Sequence, residues 1–279
     1  MDRDMTGKIP SRNIRVGAAI LIALAALMVS VAAASAKEVI YDNLNTVPAS
    51  VNGMPDRDTF SQSYGGGGVT SVGNVLSFAG SGRKLSSVTT EIDSFKCEKG
   101  EYQYENCYSK PGKTFKYPLT LRVYEFEPGY RRNRLIGQKT QTFKMPYRPT
   151  TNVHCPATPE GKGFGSNCDV GGVLGTITFK GLVGMSVGSE AILEVRNATP
   201  EKPINLGLEE AYKGYNASTE EFEGVPGSYT PAVGSDPLGD EQLWLGCEDP
   251  PSPFCNAPES GAVVAGYAGA LPVFEVVAK

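Results

Sequence analysis

An alternation of apolar and polar residues with a period of two runs through most of this chain. Residues 119–124 are Leu-Thr-Leu-Arg-Val-Tyr, and residues 141–145 and 191–196 follow a similar pattern. This period places successive side chains on opposite faces, which is typical of half-buried antiparallel strands. Further strand signals occur at residues 69–78, 88–92, 177–179 and 274–276.

Turn-forming residues separate these strands. The chain contains 33 glycines and 20 prolines, which favour turns because proline fixes φ and glycine allows a positive φ. The Glu-Pro-Gly sequence at 127–129 predicts a hairpin between the strand at 119–124 and a strand over 135–145. The pattern favours an all-β fold, an antiparallel β-sandwich of the jelly-roll type with long disulfide-closed loops.

Little helix is expected, because no segment shows a convincing apolar spacing of three and four residues. The sequence predicts single helical turns at two short segments, residues 209–212 and 219–222. The region 214–237 is the least patterned and is predicted to form long loops.

Six cysteines, all beyond residue 36, fall into three neighbouring pairs. An even number in an exported chain favours disulfides, and each small loop closed in this way is stabilised by about 3 kcal/mol. A zinc site is disfavoured, because the chain has no Cys-x-x-Cys motif and His154 is its single histidine. Sequence proximity favours the pairs Cys97–Cys107, Cys155–Cys168 and Cys247–Cys255.

The first 36 residues are predicted to be a Sec-type signal peptide. A basic leader precedes an apolar run over 16–33, and Ala-Ser-Ala at 34–36 supplies a cleavage site. Cleavage leaves a single domain over 37–279, predicted to be secreted and free of the membrane. The absence of a twin arginine, and of a cysteine at the cleavage site, disfavours Tat export and a lipoprotein anchor. An uncleaved anchor is the alternative, because the run approaches membrane-spanning length.

The charge and motifs exclude several function classes. A net charge of −4 at pH 7 disfavours nucleic acid as a partner. The sequence Gly-Met-Ser-Val-Gly at 184–188 matches a nucleophile elbow, which requires a helix after it and a histidine downstream. Because His154 lies upstream, a turn between two strands is predicted instead. No catalytic residue and no cofactor are predicted.

Aromatic side chains are the candidate ligand contacts. Tyr102 and Tyr104 lie with Tyr108 around the first cysteine loop, and Trp244 is the single tryptophan. Exposed aromatic rings stack on sugar rings, so Tyr102, Tyr104 and Trp244 are predicted to contact a ligand. The alternative is that these rings pack the loops onto the sandwich.

Oxygen-rich loops are the candidate metal sites. Asp236, Asp240 and Glu241 are close in the sequence, and calcium prefers such ligands in sandwich loops. These residues are therefore the candidate ligands of a structural calcium ion. The alternative is solvated loop charge, since the spacing does not match an EF-hand.

A basic cluster, Arg-Arg-Asn-Arg, occupies 131–134 beside the predicted hairpin turn. It favours a charged turn that keeps a sheet edge soluble. An anionic polymer is the alternative partner.

Six short segments occur in order along the chain: Tyr-Asp-Asn-Leu at 41–44, Leu-Ser-Ser-Val-Thr at 85–89, Pro-Leu-Thr-Leu at 118–121, Thr-Gln-Thr-Phe at 140–143, Pro-Tyr-Arg-Pro at 146–149 and Val-Gly-Ser-Asp-Pro at 233–237. Together these segments resemble a group of uncharacterised secreted bacterial β-sandwich proteins, the choice-of-anchor type. The resemblance covers most of residues 38–278 and implies a sandwich fold and an extracellular or surface location. It implies no active site.

Three functions are compatible with these observations. The first is a secreted, non-enzymatic sandwich that binds an extracellular ligand, either a glycan or a surface protein. The second is an extracellular hydrolase of the glycoside hydrolase type that uses two carboxylates. The third is a structural component of the cell surface. The binding protein predicts exposed aromatic residues beside a loop groove, and the hydrolase predicts two carboxylates that converge in a cleft. The structural component predicts flat faces or sheet edges that allow self-association.

Overall fold

The computed structural model describes the greater part of the chain beyond the predicted leader. The description begins at Ala36 and ends at Lys279, with gaps. The side chains of a few strands fall outside it. The described ranges are 36–45, 61–63, 69–101, 104–127, 131–155, 157–158, 161–163, 172–198, 206–211, 213–216, 221–227, 231–237, 242–247, 262–265 and 271–279.

All regular elements of the described residues are strands apart from one short turn of 3₁₀ helix at Tyr104, so the predicted all-β class is confirmed. The strands are β1 (Glu38–Asp42), β2 (Ser61–Ser63), β3 (Val69–Ser77), β4 (Leu85–Ser94), β5 (Thr114–Glu127), β6 (Arg131–Pro146), β7 (Ala157–Thr158), β8 (Gly161–Lys162), β9 (Val173–Lys180), β10 (Glu190–Asn197), β11 (Leu206–Ala211), β12 (Lys213–Asn216), β13 (Glu221–Gly227), β14 (Gln242–Cys247), β15 (Ala262–Ala265), β16 (Leu271–Pro272) and β17 (Phe274–Ala278).

Seven of the described strands form one antiparallel sheet. Its order is β1-β17-β4-β11-β16, with β2 paired to β11 and β9 paired to β4. β4 is the centre of this sheet, because β9 pairs with it over Ser87–Ser94 while β17 and β11 share its other edge. The last strand of the chain thus holds the first, β1, in the sheet.

Six described strands form a second antiparallel sheet in the order β15-β14-β3-β10-β5-β6. β5 and β6 pair from Thr114↔Pro146 to Glu127↔Arg131, which confirms the predicted hairpin. β12 pairs with β13, and β7 pairs with β8, as separate two-stranded ribbons.

One apolar core joins the two large sheets, so the fold is sandwich-like. Over residues 115–123 of β5 the odd-numbered residues point inward, and Leu119, Leu121 and Val123 are fully buried. They lie in the same core as Val88 of β4 and Phe274 of β17 from the other sheet. Each such apolar side chain contributes about 1.5–3 kcal/mol when removed from water.

Contacts between the sheets close one side of the sandwich. The rings of Phe143 on β6 and Phe179 on β9 meet edge to face with centroids 4.9 Å apart. A Cβ on Gly175 of β9 would lie 3.0 Å from Cδ of Pro146, so the backbone of β9 approaches β6 closely.

Residues 231–237, here called the edge segment, bridge the two sheets. Asp42 N of β1 donates to the Val233 carbonyl at 3.0 Å, and Ser77 N of β3 donates to the Ser235 carbonyl at 2.8 Å. Gly234 has a φ of 80°, and a Cβ there would lie 2.8 Å from Cδ2 of Tyr41. Only glycine fits this passage without strain.

Two sequence predictions were wrong. The helical turn at 209–212 is strand β11 as far as Ala211, since Leu206–Leu208 extend the sheet beside Ser94–Ile92. Residues 221–222 lie in β13 rather than in a helical turn, and β12 and β13 occupy part of the region predicted as long loops.

The predicted leader lies outside the described residues except for Ala36. Residues Lys37–Lys279 form one compact unit. In the described part of the chain, no helix has the length and hydropathy needed to cross a membrane.

Candidate ligand-binding surface

The first predicted disulfide is present. Cys97 follows β4 and Cys107 precedes β5, and their Cα atoms lie 5.4 Å apart across the bond. Both cysteines are buried. The bridge closes a loop with a sequence separation of 10. This loop is part of the connection between β4 and β5.

The loop is further ordered by its own backbone. Lys99 and Tyr108 exchange two hydrogen bonds of 2.9 Å. The turn at Gly100 requires glycine, because its φ is 72° and a Cβ would lie 2.2 Å from the Asn106 carbonyl oxygen. Glu101 N donates to Oδ1 of Asn106 at 2.8 Å.

The segment that follows β6 packs against this loop. Thr151 N donates to the Cys107 carbonyl at 3.0 Å. Ser109 N donates to Oγ1 of Thr150 at 3.0 Å, and the same hydroxyl donates back to the Ser109 carbonyl at 3.0 Å. Two stretches of loop are thereby held side by side.

The second predicted disulfide loop begins at Cys155, in the segment that follows β6. Cys155 is disulfide-bonded and buried, and Asn152 N donates to the Gly163 carbonyl at 2.9 Å. None of Cys97, Cys107 and Cys155 is a free thiol, so none is available as a zinc ligand. The pairings Cys155–Cys168 and Cys247–Cys255 stay predictions, because Cys168 and Cys255 lie outside the described residues.

These loops present exposed apolar side chains to solvent. Tyr104 is 70% exposed, Tyr108 44% and Val153 76%. We call the described residues 96–101, 104–113 and 147–155 the loop platform. A rigid loop with exposed rings offers a large contact area at a small entropic cost on binding.

Of the three predicted ligand contacts, the structure places one on this surface. Tyr104 is exposed as expected. Tyr102 lies outside the described residues, and Trp244 is in β14 opposite Gly73, with its side chain outside the description. Tyr108 is also exposed, although it was not among the predicted ligand contacts; its position next to Cys107 was the available signal.

Two carboxylates occur together on β4. Glu91 and Asp93 are two residues apart, on the face opposite to that of Val88 and Ile92, and only 6% and 3% exposed. Thr176 Oγ1 donates to Oε1 of Glu91 at 3.4 Å. A glycosidase needs both carboxylates to reach a substrate, and neither is open to solvent here.

The candidate calcium ligands are placed only in part. Asp236 lies in the edge segment, where its Oδ2 accepts a hydrogen bond of 2.9 Å from Nδ2 of Asn74. Asp240 and Glu241 lie outside the described residues. Within the described ranges no three His, Cys, Asp or Glu side chains group as metal ligands. The calcium site stays a prediction.

The Gly-x-Ser-x-Gly segment is a turn between strands. It lies between β9 and β10, so a strand rather than a helix follows it, and Gly184 has a φ of 83°. Ser186 is exposed, as is His154 in its own turn. The strand–turn–strand context does not provide the elbow that a nucleophilic serine requires.

Comparison with known proteins adds no family to this description. No protein-family model matches the chain, and neither the curated proteins nor the solved structures give a significant match.

Proposed function

We propose that the protein is an exported, non-enzymatic β-sandwich that binds an extracellular glycan through the loop platform. The observation that carries this proposal is the exposure of Tyr104 and Tyr108, 70% and 44%, on a loop held by the Cys97–Cys107 bridge. Tyrosine combines an apolar ring with a polar hydroxyl, which suits the faces and hydroxyls of a sugar.

Preorganisation of the loops supports binding as the role of this surface. A flexible loop would lose conformational freedom when it binds, at about 0.5–1.5 kcal/mol for each immobilised side chain. The disulfide and the hydrogen bonds between Ser109 and Thr150 supply that order in advance.

Export is supported by two independent features. The leader over residues 1–36 has the composition of a signal peptide, and disulfides persist in oxidising compartments outside the cytosol. A jelly-roll strand order and kinship with the choice-of-anchor group belong to this proposal as well.

Binding is favoured over hydrolysis because the clustered carboxylates of Glu91 and Asp93 are buried. A general acid and its partner must both contact the glycosidic bond or its water. We therefore expect the protein to bind the polysaccharide without cleaving it.

The test is affinity electrophoresis of the full chain in gels that contain single polysaccharides, neutral and anionic. We expect retardation by at least one of them, and its loss in Tyr104→Ala/Tyr108→Ala. Val183→Ala is the matched control, because Val183 is 93% exposed between β9 and β10, outside the loop platform.

Other outcomes would refute the proposal in distinct ways. Retardation that persists in the double tyrosine variant would remove the loop platform from the binding site. Release of reducing ends from the retarding polysaccharide would show a hydrolase. Self-association in sedimentation, with no retardation in any gel, would show a structural component.

A further inference from the structure

Positive charge is concentrated in one part of this acidic chain. Residues 96–148 carry 12 of the 26 Lys and Arg residues but only 5 of the 30 Asp and Glu residues. This stretch contains the Cys97–Cys107 loop, β5 and β6. The sequence as a whole has an isoelectric point near 5.3, so the local excess is opposite in sign to the overall charge.

Two lysines in this stretch face each other across the hairpin. Lys116 of β5 lies directly opposite Lys144 of β6. Their neighbours Phe115, Tyr117 and Met145 are buried in the core, so both lysines point to the outer face, where they are exposed. Like charges directly opposite each other destabilise a sheet. Neither lysine makes an ion pair with a described carboxylate.

The outer face continues from this pair along the hairpin with uncharged polar groups. Thr120 and Thr140 share a hydrogen bond of 2.8 Å, and Thr142 and Gln138 are exposed. We call the outward residues 116–122 of β5 and 138–144 of β6 the ribbon face. Its length over β6 is about 20 Å at roughly 3.4 Å per residue.

One described carboxylate borders the ribbon face, and it is already neutralised. Glu194 of β10 lies opposite Arg122, with Oε1 3.7 Å from Nη1 of the arginine. The Glu194 side chain is 1% exposed. The charge offered to solvent here is therefore that of the lysines.

The loop platform contains two lysines shortly before β5 begins at Thr114. Lys110 and Lys113 are exposed in the turn between Tyr108 and β5. Lys113 N donates to the Lys110 carbonyl at 3.1 Å, and the Lys113 carbonyl accepts from Tyr147 N at 3.3 Å. The turn is thus fixed against the end of β6, and Lys113 lies three residues before Lys116 in the sequence. Lys110 N also donates to Oε2 of Glu98 at 3.0 Å, so Lys110 has a carboxylate beside it and Lys113 is the lysine of this turn used below.

We propose that the ribbon face, together with Lys113 at the end of the loop platform, binds a linear anionic polysaccharide through Lys113, Lys116 and Lys144. An ammonium group is a point charge that attracts carboxylate or sulfate, and an anion between Lys116 and Lys144 would relieve their repulsion. Threonine hydroxyls and the Gln138 amide can bond sugar hydroxyls. This inference rests on the proposed glycan binding, and it specifies that the glycan is anionic.

A nucleic acid fits this surface less well. The binding faces of such proteins are rich in arginine within strongly basic domains, whereas the exposed cations named here are lysines on an acidic chain. Short oligonucleotides therefore serve as a comparison ligand in the test.

The test uses the full chain and measures binding of polygalacturonate, dextran sulfate, uncharged dextran and oligo(dT) by biolayer interferometry. Lys113→Gln/Lys116→Gln/Lys144→Gln is compared with Lys84→Gln/Lys180→Gln/Lys279→Gln, which removes the same charge from other exposed lysines. We expect the first triple to weaken polygalacturonate binding at least tenfold and to flatten its salt dependence, and the control to change it less than twofold.

The outcomes separate this inference from the proposed function. Equal loss in both triple variants, or oligo(dT) binding as tight as that of polygalacturonate, would overturn the anionic glycan site. Binding of uncharged glycans alone, lost in Tyr104→Ala/Tyr108→Ala, would refute the inference and keep the proposed function. Binding of polygalacturonate that depends on the lysines and not on the tyrosines would keep the inference and refute the proposed role of Tyr104 and Tyr108.

Discussion

Asn74 Nδ2 donates a hydrogen bond of 2.9 Å to Oδ2 of Asp236 across 162 residues of sequence. Asn74 occupies an inward position of β3 between the core residues Val72 and Leu76, and it is fully buried. The bond therefore connects the interior of the six-stranded sheet with the edge segment that bridges to β1.

Removing the acceptor should destabilise the fold. We expect Asp236→Ala to lower the free energy of unfolding by about 1–3 kcal/mol, because it takes a bonded acceptor from the buried amide of Asn74. Asp236→Asn keeps an acceptor oxygen and should cost less. Urea denaturation of both variants measures this, with Ser235→Ala as the control. Equal stability of Asp236→Ala and the wild type would show that the bond is unimportant.

Tyr41 should make the protein sensitive to alkali. Burial, and then the negative charges of Asp236 and Asp42, raise the pKa of Tyr41 far above its ordinary value. Since the unfolded chain ionises this phenol near pH 10, stability is unaffected below that pH and falls as the pH rises above it.

The Tyr41→Phe variant tests this account. The Tyr41 hydroxyl is buried without a hydrogen-bond partner among the described residues, so its removal should leave stability at pH 7 unchanged or raise it by about 1 kcal/mol. Between about pH 9 and pH 11, the range that surrounds the ordinary tyrosine pKa, the variant should also lose less stability than the wild type. Thermal unfolding across that range gives the answer, and parallel pH curves would contradict the account.

Glu38 should contribute stability at neutral pH that disappears in acid. Hydrogen bonds from the backbone N–H groups of Gly82 and Ser81 hold the pKa of Glu38 below its usual range. A carboxyl with a depressed folded pKa stabilises the fold above its unfolded pKa, and this contribution is lost as the pH falls through the folded pKa.

Glu38→Gln should therefore have a lower melting temperature than the wild type at pH 7, and the two should converge as the pH falls below the lowered pKa of Glu38 in the folded protein. Circular dichroism melting curves measure both. Glu101→Gln, at an exposed loop position, is the control. A constant difference between wild type and variant at all pH values would point to lost packing instead of charge.

The disulfide should stabilise the fold and order the binding surface at once. Cys97→Ser/Cys107→Ser opens a loop with a sequence separation of 10, which should lower the free energy of unfolding by about 3 kcal/mol. Below its melting temperature the variant should also bind polysaccharide more weakly, because the loop that carries Tyr104 would lose conformational entropy when it binds. Unchanged affinity in a destabilised variant would separate the bridge from ligand binding.

The strands were predictable where burial follows the period of two. β4, β5, β6 and β10 alternate in sequence and face a shared core, so pattern and packing agree. β11 was missed because Leu-Gly-Leu-Glu-Glu-Ala carries little β signal of its own, and its strand conformation comes from pairing with β4.

The polar interior could not be predicted. Asn74 stands at an inward position, and nothing local indicates a partner 162 residues away. Glu91 and Asp93 follow the outward half of the alternation on β4, yet they are buried. Arg148 is 1% exposed after β6, although arginine is among the residues least often buried. Such burial depends on how loops fold over the sheets.

The candidate surface was predictable in outline. Cysteine spacing identified the loop of Cys97 and Cys107 and the tyrosines around it. The alignment of Lys116 with Lys144 depends on the register of β5 and β6, which has a shift between Val123 and Phe126 near the turn. Sequence alone predicts the hairpin but not this register.

The most direct test of the proposed function is hydrogen–deuterium exchange of the full chain with and without a retarding polysaccharide. Binding through the loop platform predicts slower exchange in peptides that cover 97–113 and 147–155, with β3 and β10 unchanged. Protection elsewhere, with those two stretches unaffected, would contradict the proposal that Tyr104 and Tyr108 form the glycan-binding surface.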